Sequence, residues 1–208
     1  MTSSRTVRRA LGILFAAAGA SIGTTPALAA TAATPDPVAP LASCEAPATS
    51  QPFLAWKDSN LYALAPGGSF DALDGGGWAF AGGARIVSTT QQDGTTGGVL
   101  DLPSKSQATS PPVCITSDFP TARLWVRNVV GSEGVYFNVQ YLRNGVWSSP
   151  KDNGQFHGEK SNWTLSGAMN ISPDSTPGWQ QVRFTFLAGG TTSRFQVNDF
   201  WVDPRMRG

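Results

Sequence analysis

From Arg123 to Asn198 the chain carries four runs in which apolar and polar residues alternate with a period of two. They are Arg123-Leu-Trp-Val-Arg127, Val135-Tyr-Phe-Asn-Val-Gln-Tyr-Leu-Arg143, Gln181-Val-Arg-Phe-Thr-Phe186 and Arg194-Phe-Gln-Val-Asn198. Successive side chains of an extended strand point to opposite faces, so each run predicts a half-buried strand. The expected core faces are Val135, Phe137, Val139 and Tyr141, then Val182, Phe184 and Phe186, then Phe195 and Val197. Shorter strands are predicted at Phe53–Trp56, Trp78–Phe80, Arg85–Ser88, Val99–Leu102 and Val113–Thr116. Gly- and Pro-rich breaks separate them, among them Gly75-Gly76-Gly77, Gly97-Gly98 and Pro111-Pro112. No long stretch keeps helical periodicity. About nine or ten strands with such punctuation specify an all-β, two-sheet antiparallel β-sandwich.

The front of the chain has a different composition. Arg5, Arg8 and Arg9 precede an apolar run from Ala10 to Ile22, and Ala27-Leu28-Ala29 supplies the small-x-small pattern of a signal-peptidase site. The run is shorter than the ~20 residues that a membrane span needs, so residues 1–29 read as a cleaved signal peptide. Residues 30–43 are rich in Ala, Thr and Pro and read as a disordered tether. The sandwich is expected over 44–204, with a tail at 205–208. The whole chain has 15 basic and 14 acidic residues. Without the three leader arginines the balance turns slightly acidic, which gives no electrostatic footprint for nucleic acid. Export also sets the reading of Cys44 and Cys114: an even pair in an oxidising compartment is expected to form a disulfide.

Three segments resemble the galactose-binding-like jelly rolls used by many carbohydrate-binding modules. Pro66-Gly-Gly-Ser-Phe-Asp71 followed by Gly77-Trp78 is similar to their "Gly-x-Phe-Glu … Gly-Trp" opening. Gly97-Gly-Val-Leu-Asp-Leu102 sits where they place a strand after a glycine turn, and Phe195-Gln-Val-Asn-Asp-Phe-Trp-Val-Asp203 is similar to their closing strand. The chain also resembles a group of secreted single-domain actinobacterial proteins that end in "Asp-x-x-Val-Asp-Pro". The resemblance to the jelly rolls implies a structural calcium near the chain ends, with Asp71 and Asp199 as its carboxylates; an all-oxygen set suits a hard cation. Strict alternation along the last strand would also turn Asp199 inward with Phe195, Val197 and Trp201, where a carboxylate needs a partner. A salt bridge to an arginine such as Arg85 serves that need equally, and a bulge near Asn198 turns Asp199 outward instead.

For a ligand, the outward residues of the same strands are the candidates. Trp125, Arg127, Asn138, Gln140 and Gln196 would form one platform if their strands are neighbours, offering an aromatic face and planar hydrogen-bonding groups that suit sugars. A polar outer face is equally the ordinary state of a sandwich. Trp147 and Trp163 border the longest irregular stretch and are candidates on loops, although Asn144-Gly145 is a tight-turn signal that makes Trp147 the start of a strand. Trp56, Trp78 and Trp201 are expected to pack. The sequence contains no Gly-x-Ser-x-Gly elbow, His-Glu-x-x-His or phosphate loop, and His157 stands alone. The reading is a secreted, non-catalytic binding module for a polysaccharide or cell-envelope glycan. A structural or adhesive protein with a protein partner is the alternative, and a glycan-cleaving enzyme with paired carboxyls is a third.

Overall fold

The computed structural model describes residues 40–116, 121–171 and 178–203. The leader, most of the tether, the tail and Pro204 lie outside the described residues. Strands are numbered β1 to β15 in chain order. One sheet runs β11 (Glu159–Lys160), β7 (Thr121–Val130), β15 (Arg194–Val202), β4 (Thr96–Pro103), β3 (Arg85–Thr90), with β1 (Ala63–Leu64) on β15 and β12 (Thr164–Leu165) and β13 (Met169–Asn170) on β7. The other runs β10 (Lys151–Phe156), β8 (Val135–Arg143), β14 (Trp179–Ala188), β5 (Gln107–Thr109), β2 (Ala79–Ala81), with β6 (Val113–Thr116) on β14 and β9 (Val146–Trp147) on β8. We call them sheet one and sheet two. All pairings are antiparallel except β11 on β7. The chain passes from sheet one to sheet two between β1 and β2, β4 and β5, β7 and β8, and β13 and β14, and returns between β2 and β3, β6 and β7, β10 and β11, and β14 and β15. These crossings make the sandwich a jelly roll.

The alternation read from the sequence is the alternation of burial. Val135, Phe137, Val139, Val182, Phe184, Phe186, Phe195 and Val197 are fully buried, and Tyr141 nearly so. Their rings and branches fill the space between the sheets, each contributing about 1.5–3 kcal/mol by leaving water. Phe200 is the hub of this core: its ring lies 5.1 Å from those of Phe184 and Phe186 and about 6 Å from Trp78 and Phe137.

Phe200 reaches the core because β15 does not alternate strictly. Asn198 pairs with Trp125 and Trp201 with Arg123, so β15 spends three steps where β7 takes two. The extra residue is Asp199, held at φ +47°. This bulge inverts the side-chain parity of everything after it. Phe200 and Val202 point inward, and Asp199 and Trp201 leave the core, which corrects the expectation of strict parity at these two positions. The backbone of Phe200 is fixed by its carbonyl accepting from Ala65 N and its N–H donating to Gly68 O. A second close approach falls on β4, where a Cβ at Gly98 would lie 2.0 Å from the Phe70 carbonyl oxygen; only glycine lets that loop sit on the sheet.

The predicted strand at Phe53–Trp56 is instead a turn of 3₁₀ helix, Leu54–Trp56, ended by Lys57 in the left-handed region. Its segment is bound to sheet one through Arg123, which donates to Asp58 at 2.8 Å and lies 5.3 Å from the Phe53 ring centre. At the front, Cys44 and Cys114 are joined 70 residues apart. Gln181 of β14 clamps Leu41 by donating to its carbonyl and accepting from its N–H, both at 2.8 Å. Closing so long a loop restricts the unfolded chain, worth about 4 kcal/mol in the chain-entropy model. Replacing both cysteines by alanine should lower the melting temperature by on the order of 10 °C in calorimetry, without changing the β-sheet circular dichroism signal.

Candidate functional site

The outer face of sheet one gathers the aromatic and guanidinium groups. Along β7 the outward residues are Arg123, Trp125, Arg127 and Val129, each ~7 Å from the next. Trp125 meets Trp56 edge to face at 5.3 Å, and Trp56 remains 53 % exposed. Trp201 lies beside Arg123 on the neighbouring strand, with its ring 6.3 Å from Phe53. Trp163 comes over from the segment after β11: the Arg127 guanidinium lies 4.8 Å from its ring centre, and its indole N–H donates to Thr90 O at 3.0 Å on the far edge of the sheet. Four of the seven tryptophans therefore serve one face.

A polar row crosses the same face. Arg127 donates Nε at 3.0 Å to Gln196 Oε1, which also accepts from Arg127 Nη2. Gln196 Nε2 leans on Asp101 Oδ1 at 3.4 Å. Asp101 is fully buried beneath two further arginines, with Arg194 Nε 2.7 Å from Oδ1 and Arg85 Nη2 3.2 Å from Oδ2. The register places these groups side by side, since Gln196 pairs with both Arg127 and Asp101, and Asp101 with Arg85. Partial burial pulls the Arg127 guanidinium below its ordinary value. At the β1 end, burial pushes Asp58 up. Hydrogen bonds from the Asn60 N–H, the Tyr62 hydroxyl and Arg123 outweigh that and hold it below the usual carboxylate range.

The sequence-predicted platform does not exist as one surface. Trp125, Arg127, Gln196 and Trp163 share sheet one, whereas Asn138, Gln140 and Trp147 share the outer face of sheet two. The reason is that β7 and β8 lie in opposite sheets, so their outward faces look away from each other. On sheet two Arg183 stacks on Trp147 with 4.8 Å to the ring centre and donates to Gln140 at 2.8 Å. Trp147 is the second residue of β9, which Val146 opens directly after the Asn144-Gly145 turn, where both residues have positive φ. Of the tryptophans expected to pack, Trp78 is in the core, while Trp56 and Trp201 belong to the sheet-one face. Sequence reading missed Arg85, Asp101 and Arg194 as a group. The signal was an acid between Leu100 and Leu102, which on a strand must face away from them. His157 is exposed beside a cleft of about 430 Å3 lined by Asn153, Phe156 and Met169.

No protein-family model and no curated protein matches the chain. Similar solved structures include the CBM22-1 xylan-binding domain of Paenibacillus barcinonensis Xyn10C, at 15 % identity over 67 % of this chain and 93 % of that one, TM-score 0.48. TmCBM61 in complex with β-1,4-galactotriose is similar at 12 % identity over 65 % and 90 %, TM-score 0.38. The enzymatically active domain of bacteriophage CBA120 tailspike protein 4 is similar at 12 % identity over 65 % and 20 %, TM-score 0.46. No side-chain role transfers to this chain at such identities. No helix among the described residues is long and apolar enough to cross a membrane.

The two carboxylates nominated for calcium meet near the β3–β4 turn. Asp199 Oδ2 accepts from Gln92 Nε2 at 2.6 Å, and Asp71 Oδ1 accepts from Gln91 Nε2 at 2.8 Å. Among the described residues no three carboxylate, imidazole or thiolate groups converge on one point. A cation there would rely on two carboxylates and on glutamine amides turned to present their oxygens. Burial pushes Asp199 up to about 6; the Gln92 hydrogen bond opposes this, and the nearby charges of Asp71 and Asp93 add to it. A carboxyl whose folded value is raised carries no penalty below its unfolded value near 3.8 and its full penalty above about 6. Asp199→Asn also suits the left-handed backbone. In EDTA it should therefore be more stable than the parent at pH 7.5 by about 1 kcal/mol, after discounting for solvent contact. Denaturant melts should show the gap closing as the pH falls from 6 to 4.

Proposed function

We propose that this protein is a secreted, non-catalytic glycan-binding module whose ligand lies along the outer face of sheet one. The observation that carries the reading is the convergence there of Trp56, Trp125, Trp163 and Trp201 with Arg127 and Gln196. Pyranose rings present apolar C–H faces that stack on indoles, and rims of hydroxyls that pair with amides and guanidinium groups. Trp56 is the exposed end of this strip and Trp125 its backing. Both sit on strands or on a segment tied to them, so the strip is held in place before any ligand arrives.

The test is titration of soluble β-1,4-xylan, β-1,4-galactan and bacterial cell-wall polysaccharides into the full chain, followed by calorimetry and tryptophan fluorescence. One or more should bind with quenching or a blue shift. Trp56→Ala and Trp125→Ala should each weaken that binding roughly tenfold or more, the loss expected for an aromatic anchor, with melting temperatures near the parent's. Trp147→Ala, on the opposite sheet, should retain it. Silence across the panel overturns the reading, and loss that follows Trp147 instead moves the site to sheet two.

Our proposal extends to calcium held by Asp71 and Asp199. Adding Ca2+ to EDTA-treated protein should raise the melting temperature of the parent and not that of Asp199→Asn. An unchanged parent removes calcium from the account.

A further inference from the structure

The polar row on sheet one is unbalanced in charge. Arg85, Arg127 and Arg194 surround a single carboxylate, Asp101, and that carboxylate is already shared by Arg85 and Arg194. Arg127 makes no ion pair among the described residues, although Glu159 is its register partner on β11; its Nε and Nη2 donate to the neutral amide oxygen of Gln196. Most cations on a sandwich surface sit in open water, where such an excess means little. Here Arg127 and Arg194, with Gln196, Ser161 and Val129, line a pocket of about 280 Å3. That is near the lower end of ligand pockets and large beside a water molecule, room for about one sugar unit with its substituent.

Each arginine has a part of its fork in use and a part free. Arg194 commits Nε to Asp101 at 2.7 Å, which leaves its Nη groups, and Arg127 keeps Nη1. The Arg127 guanidinium carbon lies over the Trp163 ring, 4.8 Å from its centre, a cation–π contact that holds the group while Nη1 stays uncommitted. Asp101 beneath, fully buried, anchors Arg194 and through Gln196 aligns Arg127. Two oriented guanidinium groups at one pocket are the arrangement that grips a carboxylate or an oxyanion ester by paired N–H bonds.

We propose that the Arg127–Arg194 pocket is an anion subsite and that the glycan bound by this protein is acidic, carrying a uronate carboxylate. The inference rests on the glycan reading above and specifies its substrate class. Arg127 is the next outward residue after Trp125 on β7, so a sugar ring stacked at Trp125 places its neighbour's substituent at the pocket. A sulfate ester would offer the same charge with tetrahedral geometry, which a guanidinium fork also pairs, so the sulfated arm of the test decides between the two.

The test compares matched oligosaccharides by calorimetry on the full chain: neutral xylo-oligosaccharides, the same oligosaccharides bearing glucuronate, and sulfated counterparts. At low salt the glucuronate form should bind at least roughly tenfold tighter than the neutral form. The advantage should shrink several-fold near 0.5 M salt, where the ~10 Å screening length of dilute buffer contracts. Arg194→Gln should bring the acidic-to-neutral affinity ratio to within about threefold of unity, while a merely structural role would leave the ratio as in the parent. If Arg194→Gln does not fold, Arg127→Lys, which keeps the charge and removes the fork, should still cut the ratio by half or more. A ratio near one in the parent, or one that neither variant changes, overturns the subsite. Tighter binding of the sulfated form than of the glucuronate form overturns the carboxylate assignment. Binding of none of the three overturns the acidic xylo-oligosaccharide as ligand, and with silence across the xylan, galactan and cell-wall panel it overturns the glycan reading itself.

Discussion

A single inserted residue in the last strand governs what both sides of sheet one can do. With Asp199 bulged out at φ +47°, Phe200 turns into the interior and Trp201 turns out of it. Without that half-step the core would receive a carboxylate and an indole in place of a phenylalanine and a valine. The aromatic cluster joining Trp78, Phe137, Phe184 and Phe186 would lose its common neighbour, and the outer face would lose one of its four tryptophans. The cost is a strained backbone position and an uneasy carboxyl, both at a residue type that tolerates the left-handed region better than most.

The two outer faces then diverge. On sheet two the outward hydroxyls of Thr109 and Thr185 are buried 3.1 Å apart, and one arginine lies on Trp147. Sheet one is overlaid at both ends. The segment from Ser50 to Tyr62 brings Trp56 onto Trp125 and is held by the Arg123–Asp58 pair, and the segment after β11 brings Trp163 onto Arg127. Outward residues of this sheet such as Val99, Gln196 and Asn198 are nevertheless buried, Asn198 donating to Gln92 of the β3–β4 turn and Gln196 lying between Arg127 and Asp101. Sequence-distant pieces thus combine into one aromatic and cationic surface, and buried Asp101 is its electrostatic keel.

Much of this was legible before any coordinates. Alternation named the core of β8, β14 and the first half of β15, because each side chain's face follows from its parity alone. Alternation is silent about which sheet a strand joins. The Gly131–Gly134 link between β7 and β8 has the look of a hairpin turn, yet it carries the chain from one sheet to the other, and so Asn138 and Gln140 parted from Trp125 and Arg127. Parity also fails silently at a bulge: strict alternation turned Asp199 and Trp201 inward, and the bulge near Asn198 that the sequence also allowed is the arrangement found. Phe53-Leu-Ala-Trp56 is too short to tell a buried strand from a helical turn by periodicity. What put Trp56 over Trp125 was the tertiary tie from Arg123 to Asp58, which no local pattern announces.

The indole N–H of Trp163 bonds to Thr90, so a side chain rooted next to β7 is fastened to the opposite margin of its own sheet. The indole is therefore held across sheet one in the free protein, and on the glycan reading proposed above little side-chain freedom at Trp163 would remain to be surrendered on binding.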